Sequence, residues 1–448
     1  MSKKYDNIKD KTFCFYAFHG LSTHSTGKTR SCCVSNSRKT RTYPTGLDIS
    51  SWSFLKNQKV AKNIEDFIND PELIEIRRAL LNGEKPENCK FCWMREDAGI
   101  TSIRQIENEM HKDQIDETLH YIDETGYLNK EAIKYLDITL GNVCNLKCRS
   151  CNPWSSHHWI EESKTMPHTN WDENAIRSAK FMQDNPWHIK AFENNFFDPV
   201  LPNVETINFL GGEPLAVKEH YDWLQHIIDK GWSSNISLHY NTNATMFPQR
   251  LLDIWDHFKS INLSLSLDAI GDLAHYVRYP SKWKLIEKNI ERLKKFTESR
   301  ESFTVHIHTT VSMLNILDLD KMLYWCRDQY KDWHYYNDEN WNNWGFQNVL
   351  PHFNIVNEPE WLHVRNLPKE IKEIAKNKIM EVYEALPNTV EIPPWEQDKL
   401  EDFKNLINLI DEENNDESWK HFVGNTYASD SFRNVDIKNY IPWTRDYL

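Results

Sequence analysis

The sequence predicts an α/β fold: a parallel sheet forming an open barrel, a small cysteine-rich unit ahead of it, and a helical extension behind it. Three observations carry the prediction. Short runs rich in apolar and β-forming residues alternate with helix-compatible stretches across 131–356, the signature of βαβ units. Eight of the nine cysteines fall within the first 151 residues, in two groups. Beyond 357, apolar residues recur at helical spacing with no strand pattern between them.

The unit spanning 1–130 holds a Gly/Ser/Thr/Arg-rich stretch at 20–46, a composition that favours turns. From Asp70 the spacing of Leu73, Ile76, Arg77 and Leu80 predicts a helix, with Asn82-Gly83 as its stop and a short helix leading into Cys89-Lys90-Phe91-Cys92. The polar stretch 104–127 reads as an exposed helix linking two domains. In the core, 131–356, strands are expected at 135–140, 205–210, 235–240, 261–267, 303–311 and 345–350, with helices at 219–230, 248–259 and 283–296. Six strands suit an open, TIM-like partial (β/α)6 barrel better than a closed one of eight. In the extension, 357–448, two amphipathic helices are expected. Ile371, Ile374, Val382 and Leu386 would line one at 368–386, and Leu400, Phe403, Leu406, Ile407 and Ile410 the other at 394–410. The acidic run 411–417 reads as a solvated loop.

At 448 residues the chain suffices for about two to four domains. Fifty-three Lys and Arg against 66 Asp and Glu give a net charge of −13, which argues against holding nucleic acid by phosphate neutralisation. The 18 tryptophans, without a basic groove, read as packing groups. No run approaches the roughly 18–20 apolar residues of a membrane span, and the opening residues lack the apolar core of a signal peptide, so a cytoplasmic location is expected. Thiols stay reduced there, and the cysteines read as metal ligands or catalytic groups rather than disulfides. Cys326 reads as a buried small apolar residue.

Cys144-Asn145-Leu146-Lys147-Cys148-Arg149-Ser150-Cys151 sets three thiols at CxxxCxxC spacing directly after the first core strand. A structural zinc ion wants four ligands, and only the pair His157-His158 stands near enough to complete the set. Three thiolates on a cubic iron–sulfur cluster instead leave one iron open to a reactant. After the second strand comes Asn208-Phe209-Leu210-Gly211-Gly212-Glu213-Pro214, whose glycines let backbone approach a ligand closely.

Together these motifs resemble the radical SAM enzymes, with their CxxxCxxC loop and GGEP segment. The resemblance implies a 4Fe–4S cluster on Cys144, Cys148 and Cys151. It also implies S-adenosylmethionine against Gly211, Gly212, Glu213 and Pro214, where backbone and carboxylate groups meet its amino group. Further matches fall at the C-terminal ends of expected strands, where barrel proteins place their sites. Thr242-Asn243-Ala244 resembles the family's TNG turn, with Asn243 at its centre. Ser264, Ser266 and Asp268 resemble the fourth strand, whose polar residues face the ribose. Arg278 resembles a residue near cofactor or substrate, and Val311 and Asn315 resemble the fifth-strand region beside the adenine. The chain departs from the pattern at Ser150, where many members carry an aromatic residue, and at Ala244, where glycine is usual. His306 and His308 share a strand face and would point into the barrel.

The amino-terminal cysteines resemble the auxiliary-cluster modules called SPASM and twitch domains, here ahead of the barrel. That resemblance implies a second 4Fe–4S cluster on Cys14, Cys32, Cys89 and Cys92, with Cys33 competing for the place of Cys32. Zinc on the same four residues is the alternative. The implied activity is reductive cleavage of S-adenosylmethionine to a 5′-deoxyadenosyl radical that takes hydrogen from a substrate, fed by a flavodoxin- or ferredoxin-like electron donor. A peptide or protein is the favoured substrate. Alternatives are a small molecule undergoing dehydrogenation, epimerisation or carbon–carbon bond formation, and a non-catalytic iron–sulfur or zinc sensor or scaffold.

Overall fold

Strand after strand in the core alternates buried with half-buried residues, as Phe303–Val311 does along Phe-Thr-Val-His-Ile-His-Thr-Thr-Val. The computed structural model describes residues 11–36, 40, 60–97, 101–118, 120–169, 171–337, 342–389, 392–393 and 396–448. Its strands are β1 (Gly20–Thr23), β2 (Thr29–Arg30), β3 (Tyr135–Thr139), β4 (Thr206–Leu210), β5 (Ser237–Thr242), β6 (Ser260–Ser266), β7 (Phe303–Val311), β8 (His334–Asn337), β9 (Asn342–Phe346) and β10 (His352–Ile355). They form one sheet in the order β2-β1-β3-β4-β5-β6-β7-β9-β8, with β10 also on β7. All the pairings from β1 through β3 to β7, and those of β7 with β9 and β10, are parallel.

One face of this sheet carries Leu136, Ile138, Ile207, Phe209, Leu238, Tyr240, Leu263, Val305 and Ile307, buried in the main core with Leu224, Leu252, Ile290 and Met322 from the crossover helices. Each such side chain stabilises the fold by about 1.5–3 kcal/mol. A parallel sheet packed on both faces would be apolar throughout. Here the opposite face is polar, and register aligns Asp137, Asn208, His239 and Asn262 in one row, Asn241, Ser264 and His306 in the next, and Ser266, His308 and His352 in a third. A polar face of this kind suits a site rather than a second core.

The first five core strands and the helices Glu219–Asp229, Gln249–Trp255 and Trp283–Thr297 lie where the sequence places them. The sixth strand does not. Val349 N and Leu350 N donate to the Glu396 carboxylate at 3.0 Å each instead of to a ladder, and Pro351 has no N–H to offer. Of the expected strand 345–350 only Gly345 and Phe346 lie in a strand, at the end of β9, and the chain re-enters the sheet as β10 at His352. The linking helix expected at 104–127 is also broken: Ile103–Met110 and Ile115–Thr118 are helical, and a turn follows. At that turn Gly126 has φ +89 and packs where a Cβ would lie 2.6 Å from Ile74 O, which no continuous helix allows.

The two expected tail helices are Lys369–Thr389 and Gln397–Ile410. The first buries Ile371, Ala375, Ile379, Val382 and Leu386, and Ile374 falls off that face to 50% exposure. A third helix, Asp416–Arg433, is not foreseen by the hydrophobic pattern. Cys326 is fully buried in the main core, as expected.

Candidate active site

The cysteine loop leaves β3 through Gly141, whose φ of +74 supplies the turn. Asn142, fully buried, pins the loop by donating to Pro153 O and Ala179 O at 2.9 and 3.0 Å. Cys144 N donates to His157 Nδ1 at 3.3 Å, Leu146 N to the Cys144 sulfur at 3.4 Å, and Cys151 N to Cys148 O at 3.0 Å. The far side of the loop is held by main chain, because Lys147 N and Arg149 N donate to Tyr279 O and Val277 O at 2.7 and 2.8 Å. The three thiols thus share one buried neighbourhood. Burial pushes all three pKa values up; Cys148 adds to the rise at Cys144 and Cys151, the latter reaching about 12.

Gly211 and Gly212 press against the start of this loop. A Cβ on Gly212 would lie 2.2 Å from Val143 O and 3.0 Å from the Cys144 Cβ, and one on Gly211 2.9 Å from Gly141 O. The contact is fixed by hydrogen bonds from Gly212 N to Gly141 O and from Glu213 N to Val143 O, at 3.2 and 2.8 Å. The Glu213 carboxylate accepts from Thr242 Oγ1, Asn243 N and Leu215 N at 2.7, 2.7 and 3.1 Å. It therefore latches the end of β4 to the end of β5, and burial pushes its carboxyl up to about 7 against those three donors. Pro214 opens the short turn that follows. Asn243 in turn donates to Asn145 Oδ1 at 2.8 Å, tying the turn after β5 to the cysteine loop.

Beyond β6, Asp268 accepts from Arg278 at 2.8 Å and from Thr310 N at 2.9 Å, and Arg278 Nη1 stands 3.9 Å from the Cys148 sulfur. Asn315 donates to Asp268 O at 2.7 Å. These four residues form one buried assembly beside the thiols. Ser264 and Ser266 occupy the polar face in register with His306 and His308. Val311 is instead fully buried in the second apolar cluster, with Tyr276, Met313 and Trp361.

Sequence reasoning misses the buried polar ring that clamps the cysteine loop from below. Glu162 accepts from Arg433 Nε at 2.7 Å and pairs with Lys147 at 2.8 Å. Arg149 pairs with Asp430, and Tyr276 donates to the same carboxylate at 3.0 Å. The last turns of the helix Asp416–Arg433 thus hold Arg149 directly and Lys147 through Glu162, both inside the CxxxCxxC motif. Trp154 packs partly buried against Ile160, Ala179 and Met182.

In the amino-terminal unit, Cys14, Cys32, Cys89 and Cys92 line one pocket. Burial pushes Cys14 up to about 11 and raises the other three, with mutual repulsion adding to Cys32 and Cys89. Cys33 is not in this lining. It faces Asp137 on β3, and burial with that carboxylate pushes it up to about 12. Beside the pocket, Glu96 holds Arg104 through two oxygens at 2.9 and 2.8 Å and accepts from Ser102 at 2.6 Å, while Arg104 donates to Phe13 O. Gly99, which stands between Glu96 and Ser102 in the series that follows Cys92, lies outside the described residues. Among the described residues no three His, Cys, Asp or Glu side chains converge on a single-ion site.

A wide cleft adjoins the cysteine loop at Cys151 and Asn152, bounded by the segment after Met166, by 358–361 and by the start of the helix Asp416–Arg433. No protein-family model matches the chain, and no curated protein matches it. Among solved structures, the chain is similar to anSMEcpe with bound AdoMet and the Cp18Cys peptide, at 17% identity over 57% of this chain and TM-score 0.35. It spans 61% of that chain's length. It is also similar to TYW1 with a lysine-pyruvate adduct bound, at 14% identity over 68% of this chain and 90% of that chain, TM-score 0.28. A third is Streptococcus suis SuiB bound to its precursor peptide SuiA, at 13% identity over 61% of this chain and 64% of that one, TM-score 0.26.

Proposed function

We propose that this chain is a radical SAM enzyme with two iron–sulfur clusters, acting on a peptide or protein. The observation that carries the reading is the seating of Gly211-Gly212-Glu213 on the CxxxCxxC loop, at the C-terminal ends of adjacent parallel strands. A Cβ at Gly212 would overlap the loop backbone, so the two segments the resemblance joins to one cofactor are also joined in space.

The donor set fits a cluster bound by three thiolates. Its sulfurs are buried together, and Arg278, held by Asp268, stands against Cys148 to offset the negative charge that thiolates bring. When bound, a four-iron cluster with an open iron supplies the electron that splits a C–S bond of S-adenosylmethionine. The chain's own part is positional. Gly211 and Gly212 bring main-chain groups up to the cofactor, Glu213 and Asn243 fix that main chain to β5 and to the loop, and Asp268 with Asn315 sets the floor beside it. The polar rows of the sheet, from Asp137 to His308, would receive the substrate. The pocket of Cys14, Cys32, Cys89 and Cys92 would hold the second, fully ligated cluster, for structure or electron relay. A peptide is favoured over a small molecule because the SPASM and twitch modules that the amino-terminal cysteines resemble often accompany the modification of peptides and proteins.

The test is anaerobic reconstitution with iron and sulfide, reduction with dithionite in the presence of S-adenosylmethionine, and chromatography for 5′-deoxyadenosine. The wild-type chain forms it, and a Cys144/Cys148/Cys151→Ala chain does not. Full cluster loading without cleavage would favour the sensor or scaffold.

A further inference from the structure

The cleft beside Cys151 has a lining of one charge. Glu358, Glu360 and Glu417 face it, and no lysine or arginine lines it among the described residues. Glu360 is held by Arg365, and Glu417 lies 3.7 Å from His421. Glu358 is exposed, with no basic partner among the described residues. Trp171 and Trp361 add aromatic walls to the same space. Carboxylates beside indole faces are the surroundings that an alkylammonium or guanidinium group prefers, because the ring quadrupole and the carboxylate both attract it. The chain's net charge of −13 draws cations in the same direction.

We infer that this cleft binds a basic segment of a peptide substrate, a lysine or arginine side chain lying against the tryptophan faces with its charge toward Glu358 and Glu417. The inference rests on the proposed function only for what happens next: a segment seated here places its neighbouring residues at the cysteine loop.

Fluorescence anisotropy on the full-length reconstituted chain tests it, with the labelled peptide Gly-Gly-Lys-Gly-Gly-Lys-Gly-Gly and versions carrying norleucine or glutamate for lysine. The lysine peptide should bind at least tenfold more tightly than the norleucine peptide, and the glutamate peptide not measurably. The Glu358→Gln/Glu417→Gln chain should lose at least fivefold in affinity for the lysine peptide. A Glu84→Gln/Glu124→Gln chain, with the same change in net charge on exposed sites elsewhere, should lose none. Equal binding of the lysine and norleucine peptides would overturn the inference, as would equal loss in both double variants. Competitive displacement by S-adenosylmethionine would also overturn it, by assigning the cleft to the cofactor. Displacement by Nα-acetyl-lysine amide as effectively as by unlabelled peptide would overturn the peptide as the ligand. 5′-Deoxyadenosine formation on the same preparation separates the two readings: cleavage without lysine selectivity removes this inference alone, and selectivity without cleavage removes the proposed function alone.

Discussion

Replacing Gly212 by alanine should eject the catalytic cluster while leaving the chain folded. The added Cβ would sit 2.2 Å from Val143 O, 2.6 Å from Val143 C and 3.0 Å from Cys144 Cβ, and the first two atoms are backbone. Restoring ordinary contact requires the loop to rise by about 1 Å. That movement strains or breaks the hydrogen bonds from Gly212 N to Gly141 O and from Glu213 N to Val143 O. Overpacking at about 1–3 kcal/mol and two lost hydrogen bonds at about 1 kcal/mol each come to roughly 3–5 kcal/mol, localised at the segment that positions Cys144. Gly141→Ala is the control. Its Cβ would meet nothing within 4 Å, so it tests the left-handed backbone alone, at about 1–2 kcal/mol. After anaerobic reconstitution, iron per chain should fall from about eight to about four in Gly212→Ala and stay near eight in Gly141→Ala. Urea unfolding of the apo chains should show both still cooperative, with Gly212→Ala the weaker. A Gly212→Ala chain that loads full iron and unfolds with the wild type would refute the reasoning.

Other consequences are equally direct. Glu162→Gln leaves Arg433 and Lys147 buried without their carboxylate, so the chain should lose about 3–5 kcal/mol, and limited proteolysis should release the C-terminal helix first. Cys32→Ala should cut reconstituted iron by about half and Cys33→Ala should not, since only Cys32 shares the pocket with Cys14, Cys89 and Cys92. His188 and His220 are buried neutral, with pKa values lowered by burial from 6.5 to about 3. Below pH 6.5 the unfolded chain takes up protons that the folded chain refuses, so stability falls as pH drops from 6.5 towards 3. Each histidine contributes about 1.4 kcal/mol per pH unit, and His188→Phe should flatten that slope in denaturation midpoints measured across the window.

Much of the core was legible because its signals are local. Period-2 alternation marks β5, β6 and β7, and the cysteine and glycine motifs sit within a few residues of the strands that carry them. The clamp under the cysteine loop was not legible, for a specific reason. The helix Asp416–Arg433 buries Ser418, Asn425, Thr426, Ser429, Asp430 and Arg433 along with Phe422, so its packed face is largely polar and hydrophobic periodicity cannot find it. Its link from Asp430 to Arg149 spans 281 positions, beyond any local pattern. The break in the last strand was hidden for a related reason: Glu396 captures two backbone N–H groups from 46 and 47 residues away. Cys32 and Cys33 are adjacent in sequence, and only the fold turns one into the pocket and the other toward Asp137. The motif names Glu213, but the donors that engage its carboxylate, Thr242, Asn243 and Leu215, depend partly on the neighbouring strand and are not visible in the motif alone.

The central claim is that one iron of a cluster on Cys144, Cys148 and Cys151 is open to S-adenosylmethionine. Electron paramagnetic resonance of the dithionite-reduced chain, recorded with and without S-adenosylmethionine, addresses it without a substrate. The Cys14/Cys32/Cys89/Cys92→Ala chain isolates the signal of the first cluster. A reduced four-iron signal whose g-values shift on adding S-adenosylmethionine is the predicted result. An unchanged signal, or the same signal surviving in Cys148→Ala, would contradict the account.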